Sequence, residues 1–123
     1  MRWLLPACIL PAVVIPAAAQ AQRYDLRPSF SICLDNAEGR DGVILECIDV
    51  EAAYQDGLLN QAYRRTMERL TPPQRIVLRN SQRQWLAHRW DRCIRENGDP
   101  AEGGTMERWL VAMCGLYEMI ERT

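Results

Sequence analysis

The sequence predicts an all-α fold. It reads as a small helical bundle built on a long antiparallel helix hairpin, with a short N-terminal helix and a C-terminal helix, tied by two disulfides. Three observations carry this. Apolar residues recur at intervals of three and four along most of the chain, and no segment alternates as a strand. Thr71-Pro72-Pro73-Gln74 has the form of a capping box with proline at the first helical position, so one helix ends near Leu70 and the next begins at once. Four cysteines remain in a short chain once a leader is set aside, an even count that reads as a disulfide framework.

Residues 1–19 are expected as a secretory signal peptide, a leader with cleavage after Ala19 or Ala21. Met1-Arg2 is a short positive start, the run from Trp3 to Ala19 has no charge, and Ala17-Ala18-Ala19-Gln20-Ala21 is a small-residue cleavage pattern. The run is too short for a membrane span, which needs about 20 apolar residues, and it carries Pro6, Pro11 and Pro16. Almost no hydrophobic run precedes Cys8, so a lipid-attachment reading is poor. Removal of the leader takes away Arg2 and Cys8 and leaves 14 arginines against 16 acids, with Cys33, Cys47, Cys93 and Cys114.

Residues 20–30 are expected as a flexible tail and 31–123 as the folded domain. Ser29 or Ser31 is a candidate cap for a first helix running to about Glu38, and Gly39-Arg40-Asp41-Gly42 is a turn. Ile44, Cys47, Ile48, Ala52, Gln55, Leu58, Leu59, Ala62, Thr66 and Leu70 form the apolar stripe of a second helix, about 43–70. The third runs from Pro72 to about Asn97, where Asn97-Gly98 and Pro100 stop it. Thr105 is the candidate cap of a last helix through Arg122, with Trp109, Met113, Leu116 and Ile120 on one stripe. The four cysteines allow three pairings. The nearest-neighbour one, Cys33–Cys47 with Cys93–Cys114, would tie the first helix to the second and the third to the last, each bond worth about 3 kcal/mol in the chain-entropy model. A four-cysteine zinc site usually brings close CxxC pairs, and none occurs.

Composition excludes several function classes. There are 15 basic residues, all arginine, against 16 acids in 123 residues, so bulk charge gives no case for a nucleic-acid partner. A single histidine, His88, rules out multi-histidine metal sites, and no metal or cofactor is expected. His88 has Asp91 and Arg92 on its face at i+3 and i+4, which is the one conceivable acid–base cluster. No serine elbow motif is present, and paired cysteines offer no nucleophile. The expected mode of action is binding, without catalysis.

Charge is sorted along the chain. Seven acids and one arginine, Arg40, lie between Ser31 and Asn60; nine arginines with only Glu68 and Asp91 lie between Arg64 and Arg95; acids then lead again. Arg75, Arg79 and Arg83 stack at i, i+4 and i+8, where like charges repel unless compensated. Pairing with the second helix or solvation is the plain explanation. The functional one is a stripe for an anionic envelope partner, a lipid headgroup, an acidic glycan or another envelope protein, which would make the chain a periplasmic binding or scaffold module. A tight turn at 71–72 sets facing positions: Glu68 opposite Arg75, Glu51 opposite Arg92, and Asn60 and Tyr63 close to Gln82, Arg83 and Trp85. Trp90 and Trp109 are core at helical spacing, or binding anchors if exposed.

Leu59-Asn60-Gln61-Ala62-Tyr63, then Ser81-Gln82-Arg83-Gln84-Trp85, then Arg89 and Cys93, and finally Gly103-Gly104-Thr105 and Cys114, resemble the LprI-like family of small exported bacterial proteins. Cys33 and Cys47, with Glu46 between, resemble its N-terminal cysteine pair. The resemblance covers roughly 31–116. It departs from the family pattern at two points: Trp90 stands where the family has Asp after its Arg, with Asp91 one residue later, about 100° around the helix, and Cys114-Gly115-Leu116-Tyr117-Glu118 stands in place of the family's Thr-x-x-Arg ending. The resemblance implies a helical, disulfide-tied periplasmic or secreted protein. Inhibition of lysozyme is the best-known activity in the family, with a lysozyme-type glycoside hydrolase as partner. It also singles out Asn60, Tyr63, Gln82, Arg83, Trp85 and Arg89 as structural or ligand-contact residues.

Overall fold

A computed structural model describes residues 24–123; the expected leader, residues 1–19, lies outside the described residues. Four helices follow one another: α1 Pro28–Ala37, α2 Asp41–Arg69, α3 Pro72–Asn97 and α4 Thr105–Arg122, and no strand occurs among the described residues. None of these helices is long and apolar enough to cross a membrane.

Local chemistry sets the boundaries, with three differences from expectation. α1 is started by Pro28 at its first turn, its fixed φ suiting that position, with Arg27 and not a serine at the N-cap. Glu38 and Gly39 then take positive φ, 50° and 74°, which turns the chain into α2 two residues earlier than the periodicity suggested. Arg40 closes this corner by donating from Nε to the Ala37 carbonyl and from Nη2 to the Asn36 carbonyl, groups that the end of α1 leaves without helical partners. At the next corner the capping box forms, the Thr71 N–H donating to Gln74 Oε1 at 3.0 Å. α3 stops at Gly98, which has φ 93°. Thr105 is the first residue of α4 and not its cap; its hydroxyl donates to Asp41 Oδ2 at 2.6 Å. That bond pins the start of α4 to the start of α2.

The hairpin is not closed along its length. α2 and α3 hardly pack on each other; α4 packs along both, and α1 covers the first half of α2. The core is therefore built from α1, α2 and α4: Phe30, Cys47, Ile48 and Leu116 are buried together, with Leu26, Ile44, Ala52, Trp109, Met113 and Ile120 packed around them. Full burial of Ile48 or Leu116 stabilises the fold by about 1.5–3 kcal/mol each. Both disulfides join consecutive cysteines, Cys33–Cys47 and Cys93–Cys114, with Cα–Cα distances of 5.8 and 5.6 Å.

The segment before α1, expected as a loose tail, is held down from residue 24 on. Tyr24 stacks on Tyr117 with ring centroids 4.3 Å apart, and Leu26 packs against the core.

Candidate functional site

The turn at 71–72 sets the register that the sequence implied for the middle of the hairpin. Asn60 and Tyr63 from α2 and Gln82 and Arg83 from α3 line one groove of about 360 Å³, together with Asp56, Leu59, Arg79 and Leu86. Asn60 Nδ2 donates to Asp56 Oδ2 at 3.0 Å, one helical turn back. Leu59, Tyr63 and Gln82 also border a second cleft of about 240 Å³, closed by Arg122 and Thr123 of α4. These three side chains are the partition between the two hollows.

Arg122 had no signal in the sequence as a site residue, yet it organises this region. Its Nε donates to Gln82 Oε1 at 3.0 Å and its Nη2 to Ser81 Oγ at 2.8 Å. The same guanidinium lies 5.9 Å from the Trp85 ring, and Arg89 lies 5.7 Å from that ring and 5.0 Å from the Trp90 ring. The six family-motif residues thus divide. Asn60, Tyr63, Gln82 and Arg83 meet in the groove. Trp85 and Arg89 stand beside α4 in a cation–π stack, each such contact worth about 0.5–1 kcal/mol where exposed.

The expected pairing fails further from the turn. Glu51 does not meet Arg92. It is buried at 1% exposure and bonded to Arg27, whose Nε donates to Glu51 Oε2 at 2.8 Å and whose backbone N–H donates to Oε1 at 3.2 Å. Gln55, also buried, donates to Glu51 Oε1 and to the Asp25 carbonyl, both at 2.8 Å. Arg27 further donates to the Val50 carbonyl and lies 4.1 Å from the Tyr54 ring centroid. Burial pushes the Glu51 pKa up. The hydrogen bonds from Gln55 and Arg27, with the Arg27 charge, outweigh it and hold the carboxyl below its ordinary value. Arg92 instead pairs with Glu118 on α4. The physical reason is α4: it occupies the space between the two long helices where Glu51 and Arg92 would have met.

Near the turn, Arg75 donates from Nε to the Met67 carbonyl at 2.9 Å; Glu68 is not its partner. Arg79 and Arg83 border the groove and make no ion pair among the described residues. The candidate acid–base cluster forms only in part. His88 Nδ1 meets Asp91 Oδ2 at 2.9 Å on exposed surface, while Arg92 points to α4. Trp109 belongs to the core, and Trp90, 37% exposed, rests on Gly115 of α4.

Folding also gathers the sorted charge into two ends. α2 and α3 run antiparallel, each about 40 Å long at 1.5 Å per residue, so their remote ends lie far from the 71–72 turn. There the bond between Thr105 and Asp41 brings the α1–α2 and α3–α4 corners together. Residues 35–49 and 95–108 at that end hold nine acids against three arginines. The tip of the hairpin is the opposite: residues 64–83 hold six arginines against Glu68.

This is a small disulfide-tied helical domain with open grooves and two oppositely charged ends. The chain belongs to the lysozyme inhibitor LprI family, whose family model matches residues 33–123. No curated protein and no solved structure matches it.

Proposed function

We propose that this chain is an exported protein, periplasmic or secreted, that acts by binding and inhibits lysozyme-type muramidases without catalysis of its own. The observation that carries this is the family match over residues 33–123. The distribution of charge supports it. Common-type lysozymes are strongly basic and work through two carboxylates in a cleft. An approaching inhibitor gains from an acidic surface that raises the association rate at low salt. The end formed by residues 35–49 and 95–108 is such a surface, and its corners are braced by both disulfides and the Thr105–Asp41 bond.

The test is titration of the processed protein, with both disulfides confirmed by mass, into a lysozyme assay that follows clearing of cell walls. Inhibition that saturates near one inhibitor per enzyme and weakens with added salt is expected. Undiminished clearing with animal and bacterial muramidases at micromolar protein would overturn the proposal.

A further inference from the structure

The hairpin tip is not used by the fold. α4 ends at Arg122, level with Ser81 and Gln82, and Thr123 lies beside Thr66 and Leu78. The last turns of α2 and the first of α3 run on past it to the Thr71 corner. All six arginines there, Arg64, Arg65, Arg69, Arg75, Arg79 and Arg83, are exposed. Of the six, only the Arg75 guanidinium donates a hydrogen bond among the described residues, and none makes an ion pair there. Among them stand Ile76 and Val77, 56% and 69% exposed, just after Pro72 and Pro73.

Isolated exposed apolar residues are ordinary. Here two are adjacent, at the end of the hairpin beyond α4, among six cations that form no ion pair, with Glu68 the one acid between residues 64 and 83. A soluble polyanion would engage the arginines and leave Ile76 and Val77 in water. An anionic bilayer surface engages both kinds of side chain: headgroups take the guanidinium groups, and the apolar pair enters the interface. We infer that the hairpin tip docks this protein on an anionic phospholipid surface through Arg64, Arg65, Arg69, Arg79 and Arg83 with Ile76 and Val77. The remote acidic end is repelled by the same surface, so the long axis stands away from it. This docking does not rest on muramidase inhibition.

Sedimentation with vesicles of phosphatidylglycerol and phosphatidylcholine tests it, using the processed, oxidised protein. Binding is expected to vesicles containing phosphatidylglycerol, not to phosphatidylcholine alone, and to weaken steeply with salt. Each arginine near the surface is worth about fivefold in partitioning, so the triple variant Arg65→Gln, Arg69→Gln, Arg79→Gln should lose about a hundredfold. The double variant Ile76→Asn, Val77→Asn should lose about tenfold with its circular dichroism unchanged. Equal binding to both lipid mixtures, or no binding to either, overturns the inference. So does a double variant that binds like the parent, because the tip would then be a charge contact suited to an acidic polysaccharide.

Discussion

The indole of Trp90 lies directly on Gly115 across the α3–α4 interface. A Cβ built at position 115 would overlap the six-membered part of the ring, with its Cζ3, Cη2 and Cε3 atoms the nearest neighbours. Glycine is therefore required there by close approach. It makes sense of the point where the sequence leaves the pattern it resembles: the aromatic ring that replaces an acid at position 90 has a flat seat prepared on the facing helix.

Gly115→Ala should destabilise the protein by about 1–3 kcal/mol, the usual cost of overpacking a filled site. Trp90→Ala made in the Gly115→Ala background should recover part of that loss. A double-mutant cycle from urea unfolding gives the coupling. Additive effects would mean that the ring and the glycine do not depend on each other.

The Arg27–Glu51 bond makes stability depend on acid. The Glu51 carboxyl is held below its ordinary value in the folded chain. Its contribution is therefore complete above the unfolded carboxyl pKa, about 4.3, and is lost as pH falls from there through the lower folded value. Glu51→Gln should be less stable than the parent at pH 7 and should flatten the decline between about pH 4.3 and the folded pKa. Arg27→Ala should cost about 2–3 kcal/mol at pH 7, because it leaves a buried carboxylate short of its charged donor. Thermal melts from pH 7 down to pH 2.5 would show both effects.

Arg122→Ala removes the donors to Gln82 and Ser81 and one face of the Trp85 stack. A loss of about 1–2 kcal/mol is expected. Trp85 emission should shift to the red, because water reaches the ring.

If the acidic end steers a basic enzyme, neutralising Glu46→Gln, Asp49→Asn and Glu102→Gln together should slow association about tenfold at low salt and far less at 0.5 M. All three are exposed, and among the described residues their side chains make no hydrogen bond or ion pair. The association rate read by stopped flow or surface resonance checks this; a salt-independent loss would mean that these side chains touch the partner and do not only steer it.

The helices were legible because their boundaries are local chemistry. The Thr71–Gln74 box, the Gly98 stop and the three-and-four apolar spacing act within a few residues. The groove was legible for the same reason: Asn60 and Tyr63 lie within about three turns of a tight corner, where register cannot drift far. Glu51 was not. Its partner sits 24 residues earlier, in a segment whose polar composition reads as tail. Its expected partner was displaced by a helix that the hairpin register cannot foresee. Arg122 was missed likewise, because the apolar spacing of α4 carries no signal of which polar side chains on α3 its guanidinium will reach.

The position of α4 has a consequence in time. Leu116, which completes the core around Ile48, and Cys114, which completes the second disulfide, both lie in α4, which is made after α1, α2 and α3. The hairpin alone has no closed interior, so the fold must wait for its final helix. The disulfides ease that wait. Cys33 pairs with Cys47 and Cys93 with Cys114, each with the next of these four to emerge, so an oxidant acting on a growing chain makes native bonds without reshuffling among them.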